Sequence, residues 1–140
     1  SNTDPDELIE IVTVLLKANP KFGPGWGVLA LCQLKKGNLK AAEDAATRAV
    51  ALLPADQAAT LQQVAEAWLK KGDESAARRC YRTVVQHAPW DADAQAGLGR
   101  LLRFRDWHGA LEAFQRAGQR SNDPIWRAYY AEALGQCGYT

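Results

Sequence analysis

Two histidines and three cysteines supply the only imidazoles and thiols of this 140-residue chain, and their spacing argues against catalysis by either. His87 and His108 stand near the ends of different segments, with no Ser, Cys or carboxylate placed to form a nucleophile–base pair. His87 falls in the last turn of a predicted helix, where a cation offsets the helix dipole, so its reading is structural. Cys32, Cys80 and Cys137 lie 48 and 57 residues apart. That spacing makes no CxxC or Cys/His ligand set, and an odd count makes no disulfide framework. The three read as small buried hydrophobes in a reducing, cytoplasmic compartment. There is no GxxxxGK[ST] phosphate loop, HExxH or EF-hand pattern. Gly23-Pro24-Gly25 reads as a turn and helix start, because proline removes an N–H that an anion cradle needs. No catalytic residue, cofactor or metal is expected.

The five tryptophans could form a ligand cage, but their positions suit packing better. Trp26, Trp68 and Trp126 fall on apolar helical stripes. Trp107 opens a helix and is expected to plug the turn before it. Trp90, after Pro89, is expected at the surface or stapled onto the next helix.

Composition narrows the partners. The hydrophobic share is 47%, enough for a core, and 17 basic residues against 16 acidic leave a net charge of +1. Such a balance gives no footprint for phosphate backbones or anionic membranes, so neither nucleic acid nor membrane is expected as a partner. The longest apolar run, Ile11 to Leu16, is far below the roughly 18 residues of a membrane span. No signal peptide is evident and methionine is absent. Ser1-Asn2 therefore reads as an appended remnant, and the chain as a piece of a larger protein.

Helix punctuation recurs throughout. Asp4-Pro5-Asp6-Glu7 and Asp123-Pro124 pair a cap with a first-turn proline. Asn38, Asp56, Asp73, Asp91 and Asp106 stand where further helices need caps, and Gly37 and Gly72 suit the left-handed residue that closes a helix. These signals predict eight helices at about 5–18, 24–36, 39–52, 57–71, 74–87, 92–104, 107–119 and 124–137, with no alternating strand pattern. Leu61, Val64, Ala65, Trp68 and Leu69 follow the spacing of a one-sided helix.

The helices also repeat. KKGNLKAAEDAATRAVALLP (35–54) returns as KKGDESAARRCYRTVVQHAP (70–89), an offset of 35 residues. Small residues recur where paired helices would cross: Ala30, Ala65, Gly99 and Ala131 in the first helix of each pair, Ala42, Ala77 and Ala110 in the second.

In these features the chain resembles the tetratricopeptide repeat (TPR) family, built from helix–turn–helix units of about 34 residues. Trp26, Leu29-Ala30, Gly37, Ala42, Ala49 and Pro54 match one unit. Leu61, Ala65, Trp68, Gly72, Ala77, Tyr81 and Pro89 match a second, and Leu98-Gly99, Ala110, Phe114 and Ala117 a third. The third departs from the pattern, with a turn one residue short at Arg105-Asp106-Trp107 and a late Pro124. The resemblance implies an all-α solenoid, a right-handed superhelix of antiparallel helix pairs. It would be one array, with a half repeat at 5–20, repeats at 23–54, 57–89 and 91–122, and a half repeat at 123–140. Leu8, Ile9, Ile11, Val12, Val14, Leu15 and Leu16 spread over roughly 220° of the first helix, wider than a one-sided helix needs. Bare half repeats expose apolar surface, so self-association through uncapped ends is expected.

The resemblance further implies a non-catalytic scaffold that binds a peptide or partner helix in a concave groove lined by first helices. Carried over by alignment, the groove residues are Gly27, Leu31 and Leu34, then Gln62, Glu66 and Leu69. Asp93, Ala96, Arg100 and Arg103 follow, and then Ala128, Tyr129 and Glu132. Arg100 and Arg103, one turn apart, suit a partner carboxylate, or they pair with Glu66, Asp93 or Glu132 instead. A TPR subclass clamps C-terminal carboxylates with Lys and Asn, but the corresponding places here hold Gly27, Leu31, Gln63, Asp93 and Gly97. The expected partner is thus a protein or peptide with an apolar and an acidic segment. Competing readings are a regulatory or oligomerisation segment of a larger enzyme, and an RNA-binding pentatricopeptide-like array.

Overall fold

The computed structural model describes residues 4–138, and among these all regular structure is helical. The eight helices are α1 (Pro5–Ala18), α2 (Gly23–Lys35), α3 (Leu39–Leu52), α4 (Pro54–Lys70), α5 (Glu74–His87), α6 (Ala92–Leu102), α7 (Trp107–Arg120) and α8 (Pro124–Gln136). Ser1-Asn2 and the last two residues of the expected half repeat, Tyr139 and Thr140, lie outside the described residues. No helix among the described residues is long and apolar enough to cross a membrane.

The chain forms two compact units, one ending at His87 and the other beginning at Ala88. In the first unit α2 pairs with α3 and α4 with α5, while α1 packs on α2 and α3 on α4. In the second, α6 pairs with α7 and α8 packs on α7.

Local signals set most helix ends. Asp73, Asp91, Asp106 and Asp123 cap as expected, each accepting a backbone N–H at 2.9–3.1 Å. Gly37 and Gly72 adopt φ of +80° and +86°. There the N–H groups of Asn38 and Asp73 reach back to Gln33 and Trp68 carbonyls at 2.9 Å, the bonding that closes a helix through a left-handed glycine.

Three expectations fail. Asn38 does not cap through its side chain. Its amide instead donates to Gln33 Oε1 at 2.9 Å, across the turn. Pro54 opens α4 rather than closing the preceding segment, because a proline lacks the N–H that a first-turn residue leaves unbonded anyway. Asp56 therefore sits inside the first turn of α4 and caps nothing. Finally, α6 stops at Leu102, short of 104, and the connection to α7 is four residues long. Phe104 takes the left-handed position there, at φ +67°. The residue missing from the third repeat is thus lost from the helix and not from the turn.

Small residues at the crossings form the core. Ala30, Ala42, Ala65, Ala77 and Ala110 are all fully buried. Gly99 leaves no room for a larger residue, because a Cβ there would stand 2.8 Å from the ring of the fully buried Phe114. Ala131 differs from its counterparts in being exposed, and Ala133 is the buried alanine of α8.

Gly99→Ala gains about 1 kcal/mol of helix propensity but meets an overpacking cost of roughly 1–3 kcal/mol. A thermal melt should therefore show a lower midpoint. Gly118→Ala, where the added methyl meets nothing within 4 Å, should raise it. If Gly99→Ala proves as stabilising as Gly118→Ala, the close crossing is not a constraint.

Candidate functional site

The first unit carries a pocket of about 490 Å³ between α1, α2 and α4. Pro5 and Leu8 line it from α1, Val28, Leu31, Cys32, Leu34 and Lys35 from α2, and Gln63 from α4. Leu31 is 43% exposed and Val28 39%, which is unusual for aliphatic side chains at the mouth of a cavity. One wall is fastened by an ion pair between Lys36, just past the end of α2, and Asp6 in the first turn of α1. The hydrogen bond and charge of Asp6 hold the Lys36 ammonium above its ordinary pKa.

Leu31 and Leu34 both line this pocket. Gln62 and Glu66 do not line the pocket, and Gln63 does, one position around the helix. Gly27 is buried, covered by the Gln57 side chain where a Cβ would stand, so it offers no open groove surface. Leu8, Pro5 and Val28 were missed. The i, i+3 spacing of Val28 and Leu31 was available, but the contribution of α1 depends on helix packing.

In the second unit Arg103, Tyr129 and Glu132 converge, with Arg100 beside them. Arg103 donates to Glu132 through Nε at 2.7 Å and Nη2 at 2.9 Å, and its guanidinium lies 4.7 Å from the Tyr129 ring centre. Those hydrogen bonds, and the guanidinium charge with them, hold the Glu132 carboxyl below its ordinary pKa. Of the two readings of Arg103, the geometry realises pairing with Glu132. Because α6 ends at Leu102, Arg103 leaves the helix with ψ of 139° and does not share a helical face with Arg100. Arg100 is exposed and stands over Trp126 at 5.8 Å. Trp126 in turn stacks with Tyr129 at 6.1 Å, and Tyr129 with Phe114 at 5.0 Å. Ala96 is fully buried, so it is core and not groove, and Asp93 lies exposed two turns before Arg100.

The remaining tryptophans are mixed. Trp26 is half-buried and donates its indole N–H to the Pro20 carbonyl at 2.8 Å. Trp107 packs edge-on against Phe104 at 5.0 Å, closing the turn as expected, and Trp90 is 45% exposed.

Sequence reasoning also missed a buried carboxylate. Glu43 of α3 is only 5% exposed, among alanines. Its Oε1 accepts from Trp68 Nε1 at 3.0 Å and Arg79 Nη2 at 2.9 Å, and its Oε2 from Arg79 Nε at 2.6 Å. One side chain therefore joins α3, α4 and α5. Burial pushes the Glu43 carboxyl up, but the hydrogen bonds and charge of Arg79, helped by Lys40 and Trp68, bring it below its ordinary value. Beside it, burial and the Glu43 charge push the Cys80 thiol up to about 12. Cys32 and Cys80 are buried as expected, whereas Cys137 is half-exposed. Among the described residues no group of three or more His, Cys, Asp or Glu side chains is placed to hold a metal.

No protein-family model matches the chain, and no curated protein matches it in sequence. Solved structures do. Two crystal structures of MamA align with TM-scores of 0.62 and 0.63 at 19% identity, over 97% of this chain and 80% and 75% of those chains. A MamA RS-1 ArsTM double mutant aligns at 0.58 and 17% identity, over 96% of this chain and 76% of that one. The likeness is one of fold. It establishes an all-α helical-repeat architecture and leaves activity to the residues themselves.

Two outcomes check the electrostatics. The folded Glu43 pKa lies below the unfolded one, so its stabilisation is complete above about pH 4.3 and is lost as pH falls through the lower folded value. Glu43→Gln should cost about 1–3 kcal/mol at pH 7, by urea denaturation, and flatten the acid limb of the stability–pH curve. An unchanged acid limb would remove Glu43 from the account. In native protein at pH 8, Ellman's reagent should label Cys137 first and leave Cys80 unlabelled until denaturant is added.

Proposed function

We propose that this chain is a non-catalytic protein-interaction module of the tetratricopeptide type. It binds a peptide or partner helix on the inward faces of the first helices of its pairs, α2 and α4 in the first unit, α6 and α8 in the second. The observation that carries this reading is the apolar pocket under Leu31 and Leu34. At about 490 Å³ it lies within the range of ligand sites, roughly 300–1,000 Å³, and its lining is aliphatic with Lys35 and Gln63 as polar groups. Such a surface recognises large apolar side chains and orients them by a few hydrogen bonds.

Arg100 supplies the second element. It is exposed and stands over Trp126, where it meets an acidic side chain without first breaking a bidentate ion pair. Arg103 is already committed to Glu132, so its part is to hold Tyr129 and the surrounding surface in place. The first unit therefore favours an apolar segment of a ligand and the second an acidic one, each recognised on its own unit.

A 12-residue peptide array tests this. Bound peptides should be enriched in Leu, Ile or Phe, or in Asp or Glu. Leu31→Glu should weaken the best peptide about tenfold, a loss near 1.4 kcal/mol. Arg100→Glu should release the acidic peptides and leave the apolar ones bound. Binding without compositional preference, or affinity untouched by Leu31→Glu, would sink the proposal.

A further inference from the structure

The first unit holds another cavity, of about 360 Å³, at the junction of α1, α2 and α3. Thr13, Leu16 and Lys17 line it from α1, Pro20 from the turn that follows, Trp26 and Leu29 from α2, and Arg48 from α3. It shares no residue with the Leu31 pocket. At roughly 100° per residue, Trp26 and Leu29 project about 170° around α2 from Leu31 and Lys35, so the two cavities open on opposite sides of that helix.

The charges at this junction are of one sign. Lys17 and Arg48 are both exposed, and no carboxylate lines the cavity. Among the described residues neither cation has an acidic partner. The Arg48 guanidinium lies 4.8 Å from the Trp26 ring centre, a cation–π contact that orients its fork at the rim. The Trp26 indole N–H is already donated to the Pro20 carbonyl at 2.8 Å, so what the ring has left for the cavity is apolar. Lys17 stands in the last turn of α1, where it offsets the helix dipole. Arg48 is not in the last turn of α3, so that role does not account for it.

The next junction in the same unit, where α3, α4 and α5 meet, lacks these features. The 14-residue helices α1, α3 and α5 correspond position by position, and α2 and α4 align on their closing glycines, Gly37 and Gly72. Lys17 and Arg48 there become Ala51 and Thr83, and Trp26 and Leu29 become Leu61 and Val64. Leu61 and Val64 are fully buried, whereas Trp26 and Leu29 are only half-buried. The two cations thus occur where the junction is open and are absent where it is closed. Helix packing needs neither, since the closed junction holds without them.

We propose that this cavity binds a small organic carboxylate with an apolar body, its head held by Arg48 and Lys17 and its body lying on Trp26, Leu16 and Leu29. Charge complementarity selects the head, because two cations without acidic partners face a space that no carboxylate lines. A carboxylate matches the planar guanidinium fork, and Thr13 adds a hydroxyl beside it. The volume stands at the lower end of ligand sites, roughly 300–1,000 Å³, which restricts the body to a medium alkyl chain or a similar group. The site is separate from the proposed peptide-binding faces and stands whether or not those bind anything.

Titration of the 140-residue chain with octanoate, followed by nitrogen–proton correlation NMR, tests it. The Trp26 indole N–H and Thr13 amide signals should shift and saturate below about 5 mM. Octanamide, which keeps the body and loses the charge, should bind about tenfold more weakly. Arg48→Gln should weaken octanoate binding about tenfold and Lys17→Gln about threefold, with the thermal melt unchanged because both side chains are exposed. Leu31→Glu, which weakens the peptide, should leave octanoate binding unchanged, so failure of one reading is distinguishable from failure of the other. No saturable shift, equal affinity for octanamide, or full affinity in Arg48→Gln would each overturn the proposal. Shifts confined to Val28, Leu31 and Gln63 would place the carboxylate in the other cavity and overturn it as well.

Discussion

Close approach of paired helices at small residues is the constraint from which the rest of this molecule follows. Ala30 with Ala42, Ala65 with Ala77, and Gly99 with Ala110 leave no solvent-accessible surface at the alanine crossings. Interiors pack near crystal density, so any larger side chain at these points would separate the pair. Bulk is therefore displaced to the flanks. Leu61, Val64, Val84 and Phe114 fill space beside the crossings and are fully buried. Others, such as Val28 and Leu31, are pushed outward and line a pocket instead.

Such tight pairs leave little room for polar groups, which makes Glu43 informative. A buried carboxylate is tolerable when both its oxygens are hydrogen-bonded, and here a guanidinium and an indole N–H reach them with three bonds. Arg79 remains half exposed, so part of its hydration survives and the net gain from the pair is smaller than its short distances imply. What the cluster adds is registry. Trp68 and Arg79 lie in both helices of the second pair and converge on one residue of the first, which fixes how one pair sits on the next.

Helix existence was legible from local chemistry, because caps, prolines and glycines act within a few residues. The bounds of α1, α3 and α5 emerged as expected for that reason. Pro54 misled because a proline that stops one helix is physically the same residue that starts another, and only the course of the chain decides which. Asn38 misled because its amide found Gln33 across the turn, a contact that cap propensity does not describe. The pocket lining was legible in part. Leu31 and Leu34 were placed by alignment with the repeat family, whereas Leu8 and Pro5 reach the pocket through α1–α2 packing, which no spacing within one helix encodes. Glu43 carried a signal only in hindsight, as a lone acid on an alanine stripe.

The third repeat shows how one missing residue changes chemistry. Had the deletion shortened the turn, α6 would have run past Arg103, placing it one turn from Arg100 on a common face. Instead the last turn of α6 unwinds into a four-residue connection, where the α2–α3 and α4–α5 connections have three, at the cost of holding Phe104 in a left-handed conformation that a non-glycine residue disfavours by roughly 1–2 kcal/mol. Phe104 regains part of that cost through its edge-on contact with Trp107 and the Arg103 guanidinium 5.1 Å from its ring. Freed from the helix, Arg103 turns to Glu132 and Tyr129 and becomes part of the scaffold. Two arginines that the sequence presents as equivalent are thereby divided, one internal and paired, the other exposed on an aromatic surface. A backbone adjustment of one residue, and not any change in side-chain type, decides which arginine is left exposed.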